Sequence, residues 1–165
     1  RGIMILYLVR HAVAMEREDW DGSDEARPLT DEGIEKMREA CRALVKMSLK
    51  IDRVLTSPLT RARQTADILV KELGLSKPDV MDALACGASP IRVVKELEKI
   101  PADTSVALVG HEPDMGDLAA FFIGTARSIP FKKGAIMAIE FQDRAGQGRG
   151  TMIWYMPTKL MRNLR

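Results

Sequence analysis

The chain has 165 residues, 46% hydrophobic and 29% charged, with 25 Lys and Arg against 23 Asp and Glu and a formal net charge of +2. So even a balance gives no general attraction for nucleic acid, and the longest apolar runs are too short to cross a bilayer, so nucleic-acid and membrane partners are disfavoured. Cys41 and Cys86 form no CxxC or ligand-spaced cluster, and the first strand signal begins at the third residue without space for a secretory leader, so a reducing cytoplasm is the expected setting.

No internal repeat, low-complexity tract or Ser/Pro-rich linker divides the sequence, and residues 1–165 read as one domain. In chain order, "IMILYLV", "IDRVLT" and "SVALVG" are continuously apolar rather than alternating, which marks strands buried on both faces. Helical patterns lie between them, and that alternation builds a mostly parallel sheet. The first helix begins near Thr30, an N-cap type followed by Asp31 and Glu32, and carries an apolar stripe of Ile34, Met37, Cys41, Leu44 and Val45. Ser57-Pro58 signals a second helix start, with Gly74 as its stop, and Ser89-Pro90 repeats the signal for a helix to about Lys99. A further helix is expected over residues 113–123, with Leu118, Ala119 and Phe122 on its buried side. "AIMAIEF" and "TMIWYM" flank the Gly-rich "QDRAGQGRG" as an antiparallel edge hairpin, in which one of Trp154 and Tyr155 packs inward and the other lies near the surface.

In open α/β sheets the site lies beyond the carboxyl ends of the strands. Arg10, His11, Ser57, Arg61 and His111 all fall there, and His11 and His111 are the two histidines of the chain. Helical side chains lean toward the N-terminus, so Arg61 reaches the mouth above the sheet, whereas Arg63 points elsewhere and reads as a solvated charge. Two fixed guanidinium charges, two imidazoles and free backbone N–H groups at helix starts together suit a dianionic phosphoryl group.

Three stretches carry a family resemblance: "LVRHA" is similar to the Arg-His-Gly motif of the histidine phosphatase superfamily, with Ala12 in place of glycine; "SPLTRARQTA" resembles its Ser-x-x-x-Arg-Ala-x-x-Thr helix start; and "LVGHEPD" resembles the strand bearing its second histidine. "RPLTDEG", "LACG" and "HEPDMGDL" extend the likeness, over nearly the whole chain, to the superfamily's small phosphohistidine phosphatases. The resemblance implies a phosphoglycerate mutase-like fold, a three-layer α/β/α sandwich whose sheet is mostly parallel with an antiparallel edge hairpin. It also implies that His11 is the nucleophile, that Arg10, Arg61 and His111 hold the phosphoryl oxygens, and that neither metal nor cofactor is required. The substrate it suggests is a histidine-phosphorylated phosphotransfer protein.

Relatives acting on phosphate esters often add a carboxylate between the second helix and the second histidine; here Asp79 and Asp82 are available in "DVMDALACGASP", and neither is assigned. An imidazole leaves more readily than an alkoxide, so a phosphorus–nitrogen substrate has less need of a dedicated acid. Connections are expected to be short apart from residues 12–29, a segment carrying Trp20 and Arg27, which leaves an open mouth suited to a residue presented by another protein. Trp20 either anchors a partner or packs its own loop down, and Arg27 is a further candidate phosphate contact. The rival readings are a small-phosphoester phosphatase using Asp82 or Glu16 as acid, a noncatalytic phosphoprotein-binding module, and a metal-dependent hydrolase, the last opposed by "HEPD" not being HExxH.

Overall fold

The computed structural model describes residues 2–164. The apolar runs become β1 (Met4–Arg10), β2 (Arg53–Thr56) and β4 (Val106–Gly110), which share a six-stranded sheet with a two-residue β3 (Asp79–Val80) and the hairpin β5 (Ile136–Phe141) and β6 (Thr151–Met156). The order is β3-β2-β4-β1-β5-β6: the first four are mutually parallel, β5 runs antiparallel to β1, and β6 antiparallel to β5. Continuous apolarity has its expected cause. Along β1, Met4, Leu6 and Leu8 face one helical layer while Tyr7 and Val9 face the other.

Helices α1 (Asp31–Val45), α2 (Thr60–Leu73) and α5 (Thr158–Asn163) cover the Tyr7 and Val9 face, and α3 (Pro90–Leu97) and α4 (Asp114–Ile123) cover the other. The layers are held by apolar burial: a fully buried leucine such as Leu6, Leu8 or Leu108 contributes about 1.5–3 kcal/mol, against a few tenths for a surface ion pair.

Thr30 caps α1 as expected, its hydroxyl oxygen accepting from the Gly33 N–H at 2.9 Å. Gly33 is required by close approach, since a Cβ there would collide with the Val13 carbonyl oxygen. The same carbonyl accepts from the Thr30 N–H at 3.0 Å, and Met15 N–H donates to Pro28 O at 2.9 Å, so the two ends of the 12–29 segment are clamped together against the first turn of α1.

Several expectations are corrected. Ser57 does not cap α2, which begins at Thr60; its hydroxyl instead accepts from the Leu59 N–H at 3.2 Å, a turn that delays the helix. Val45 is 50% exposed as the last residue of α1, while Ala43 and Leu44 beside it are buried. Helix α3 stops at Leu97 rather than Lys99. Trp154 and Tyr155 point to opposite faces, yet both are half-buried, Trp154 against Tyr7 (ring centroids 6.0 Å apart) and Tyr155 edge-on to Phe131 (5.5 Å), whereas Met152 and Ile153 earlier in β6 are exposed. Residues 12–29 are not the one long connection either, for residues 124–135 run without regular structure from α4 to β5. That second connection bears on the site.

Candidate active site

The site forms where β1 and β4 end side by side. Arg10 pairs with Gly110 in the sheet, and the next residue on each strand is a histidine, so the parallel register itself brings His11 and His111 together with ring centroids 5.3 Å apart. Arg61 enters from the first turn of α2, and Arg10 comes from the last position of β1. Arg10, His11, Arg61 and His111 line one cleft of about 200 Å³, with Cys86 and Glu112 in its wall and Glu16, Arg27 and Lys133 also bordering it. Arg63 is exposed and lies apart, as expected.

His11 is tied down on every side except one. Its Nδ1 lies 2.7 Å from Ala12 O, its backbone N–H donates to Gly110 O at 3.0 Å, and its carbonyl accepts from Gly134 N–H at 3.0 Å. A carbonyl can only accept, so Nδ1 carries the proton and Nε2 keeps its lone pair. Ala12, in the position of the motif's glycine, is buried and its φ is not positive, so the methyl introduces no strain. Gly134, by contrast, stands at φ +74° to present its N–H to His11.

Burial, reinforced by the His111, Arg61 and Arg10 charges, lowers the His11 pKa from 6.5 to about 3; the Ala12 hydrogen bond opposes the shift. Burial with Arg61 lowers His111 to about 4. Both rings are therefore neutral at ordinary pH.

The arginines are anchored by one edge each. Arg10 Nη1 donates to Phe131 O at 2.7 Å, and that loop is stapled by Glu112, whose carboxylate accepts from Phe131 N–H at 3.1 Å and from Gly116 N–H, in the first turn of α4, at 2.8 Å. Arg61 Nη1 donates to Asp24 O at 2.8 Å and Nη2 to the Asp24 carboxylate at 3.2 Å. Asp24 also pairs with Arg17 at 2.8 Å and with Arg27 at 3.0 Å. Burial pushes the Asp24 carboxyl up, and Arg27 and Arg61 outweigh it, holding the group below the usual carboxylate range. Among the described residues, the buried side-chain nitrogens and oxygens left without a partner are Arg10 Nε, Arg61 Nε and His111 Nδ1. All three belong to the residues surrounding His11. Desolvated polar nitrogens of this kind cost about 1–3 kcal/mol each unless something pairs with them, more when charged.

Sequence reasoning missed the supports. Thr65 accepts from the Ala12 N–H at 3.0 Å and donates to Arg61 O at 2.8 Å, joining the two motifs; its i+4 spacing from Arg61 was the available signal. Asp114 accepts from Gly87 N–H at 2.9 Å, which holds the "LACG" segment so that Cys86 Sγ lies 3.7 Å from Arg61 Nη2. Burial raises the Cys86 pKa, against the opposing pull of Arg61, and so keeps the thiol protonated. Trp20 packs its own loop down: its indole N–H donates to Ser23 O at 2.9 Å and its ring lies against Gly22. Asp79 and Asp82 line a different and larger groove, about 420 Å³, at the β3 edge. Charges there pair with one another, Arg53 with Asp79 at 3.1 Å and Lys99 with Glu96 at 2.9 Å, and that groove holds no histidine.

Fold and site together define an α/β protein that presents an unprotonated imidazole nitrogen in a cleft shared with two guanidinium groups and a second neutral imidazole. Residues 6–85 match the model of the histidine phosphatase superfamily (branch 1). The chain is 38% identical over 151 residues to an uncharacterised protein of Picosynechococcus, covering 88% of each, and 30% identical over 157 residues to the phosphohistidine phosphatase SixA of Escherichia coli K12, covering 93% of each. A solved structure of the protein histidine phosphatase SixA complexed with tungstate superposes with a TM-score of 0.85 at 28% identity, over 98% of this chain and all of that one. The chain belongs to the histidine phosphatase superfamily, and its three-layer sandwich is the phosphoglycerate mutase-like fold.

Proposed function

We propose that this protein is a phosphohistidine phosphatase that acts on a histidine-phosphorylated phosphotransfer protein, as one domain spanning residues 1–165. His11 Nε2 attacks phosphorus; the new N–P bond forms as the P–N bond to the substrate imidazole breaks, and that imidazole takes a proton from solvent. Water then attacks the phosphohistidine on His11, releasing inorganic phosphate and restoring the free nitrogen. Arg10, Arg61 and His111 donate to the phosphoryl oxygens throughout, because in phosphoryl transfer positioning and charge neutralisation outweigh covalent machinery.

One observation carries this reading: the three orphaned buried nitrogens, Arg10 Nε, Arg61 Nε and His111 Nδ1, belong to residues that line one cleft with His11, whose Nε2 lone pair the Ala12 carbonyl leaves free. Two guanidinium groups supply the positive charge that a metal would otherwise bring, and the proposed reaction is metal-independent. Kinship with the SixA phosphohistidine phosphatase supports the substrate class. No helix among the described residues is long and apolar enough to cross a membrane. Both cysteines are free, which supports the proposed cytoplasmic setting.

A second reading, a small-phosphoester phosphatase, is favoured by one feature, the Glu16 carboxylate bordering the cleft; Asp82, in the β3 groove, is removed from that role. Phosphate release from a phosphohistidine-bearing protein and from a simple phosphate ester, both in chelator, separates the two. Release that favours the protein and is insensitive to Glu16→Gln supports the proposal. Ester turnover that rivals it and collapses in Glu16→Gln establishes the alternative.

A further inference from the structure

The role of His111 depends on which of its nitrogens holds the proton. Because burial leaves the ring neutral, one nitrogen donates and the other accepts. Nε2 lies 2.7 Å from Ser57 Oγ, and Nδ1 is the orphan of a ring that lines the cleft. A dianionic phosphoryl group would be repelled by a lone pair at Nδ1 and held by a proton there.

The geometry points to Ser57 as the residue that sets the His111 tautomer, its hydroxyl donating to Nε2 so that the His111 Nδ1–H is presented to the phosphoryl oxygens. Ser57 has a single proton and no exposure to solvent. Its oxygen already accepts from the Leu59 N–H at 3.2 Å. Were His111 Nε2 the donor, Ser57 Oγ would accept twice, and the buried hydroxyl proton would have no acceptor among its hydrogen-bond partners, Leu59 N and His111 Nε2. With the hydroxyl donating, each hydrogen of the pair is satisfied except the one on Nδ1, the buried orphan of the cleft-lining ring. The turn that displaces the start of α2 from Ser57 to Thr60 thus has a second consequence: it directs the serine hydroxyl at the histidine that follows β4 instead of at the helix N-terminus.

Ser57 is a positioning residue in this scheme, acting through His111, and the inference rests on the phosphohistidine-phosphatase reading for its purpose but not for its test. The test uses the full chain without substrate. Long-range ¹H–¹⁵N spectra, assigned by comparison with His111→Gln, read the two ring nitrogens directly. A pyrrole-type Nδ1 and a pyridine-type Nε2 are expected for His111 at neutral pH. The reverse pattern overturns the inference whether or not the protein proves to be a phosphatase. In Ser57→Ala the pattern should shift toward a tautomer mixture, and inorganic phosphate should bind about tenfold more weakly, the scale of one buried hydrogen bond. An unchanged, wholly Nδ1–H pattern in a folded Ser57→Ala variant also overturns it, since another group would then be setting the tautomer. Should that variant not fold, the wild-type spectrum alone decides.

Discussion

Asp24 holds Arg61 twice, through its backbone carbonyl at 2.8 Å and its carboxylate at 3.2 Å. The two bonds have different consequences. The carbonyl bond places the guanidinium, while the carboxylate charge offsets the attraction of Arg61 for an incoming phosphoryl dianion. Asp24→Asn keeps the carbonyl and removes the charge, so inorganic phosphate should bind about twofold to tenfold more tightly, most clearly at low salt, given that Asp24 is partly exposed and screened. Competition by phosphate at two ionic strengths measures this. Weaker binding in the variant would mean that the carboxylate serves chiefly to orient Arg61.

Both histidines are held neutral far below their usual range, which sets the sign of a pH effect on stability. Between their folded values, about 3 for His11 and about 4 for His111, and the ordinary 6.5, the unfolded chain binds protons that the folded chain does not. Stability from this source is complete above about pH 6.5 and is lost as pH falls through that window, by up to about 1.4 kcal/mol per pH unit for each group. Denaturant unfolding from pH 7 to pH 4 should show a slope that shrinks in His11→Ala. An identical slope in the variant would show that His11 is not the buried neutral group described.

Thr65 supplies the acceptor for the buried Ala12 N–H, one residue beyond the proposed nucleophile. Thr65→Val keeps the shape and orphans that N–H, at a cost of about 1–3 kcal/mol. Thermal unfolding should fall accordingly and phosphate release with it, while Thr65→Ser preserves both. Equal behaviour of the valine and serine variants would remove this hydrogen bond from the account.

A methyl group at Gly33 would collide with the Val13 carbonyl oxygen, which anchors the base of the 12–29 loop. Gly33→Ala should cost stability despite the better helix propensity of alanine, a gain of at most about 1 kcal/mol, because backbone rather than a flexible side chain must give way. Limited proteolysis should then cut within residues 12–29, which carry Asp24 and Arg27. A stabilised variant with an intact loop would contradict the clamp.

Where one residue type dictates local geometry, the sequence was legible. Continuous apolar runs marked β1, β2 and β4, Thr30 and Gly74 marked helix ends, and the strand-end positions of Arg10, His11 and His111 followed from the same signals. The supports depend on packing between distant segments and leave no local mark. Asp24 meets Arg61 across 37 positions, and Glu112 reaches Phe131 only because residues 124–135 fold back over α4. Ser57-Pro58 misled for a physical reason, since the serine hydroxyl is engaged by Leu59 and His111 and is unavailable as a cap.

The proposed reaction passes through a covalent phosphohistidine on His11. A phosphotransfer protein carrying ³²P-phosphohistidine, mixed with this protein in chelator and quenched in alkali within a turnover, tests it most directly. Transient alkali-stable, acid-labile label is expected on this chain, absent in His11→Ala, followed by release of labelled phosphate. Release with no label on the chain at any time, or release at the same rate with His11→Ala, would contradict it.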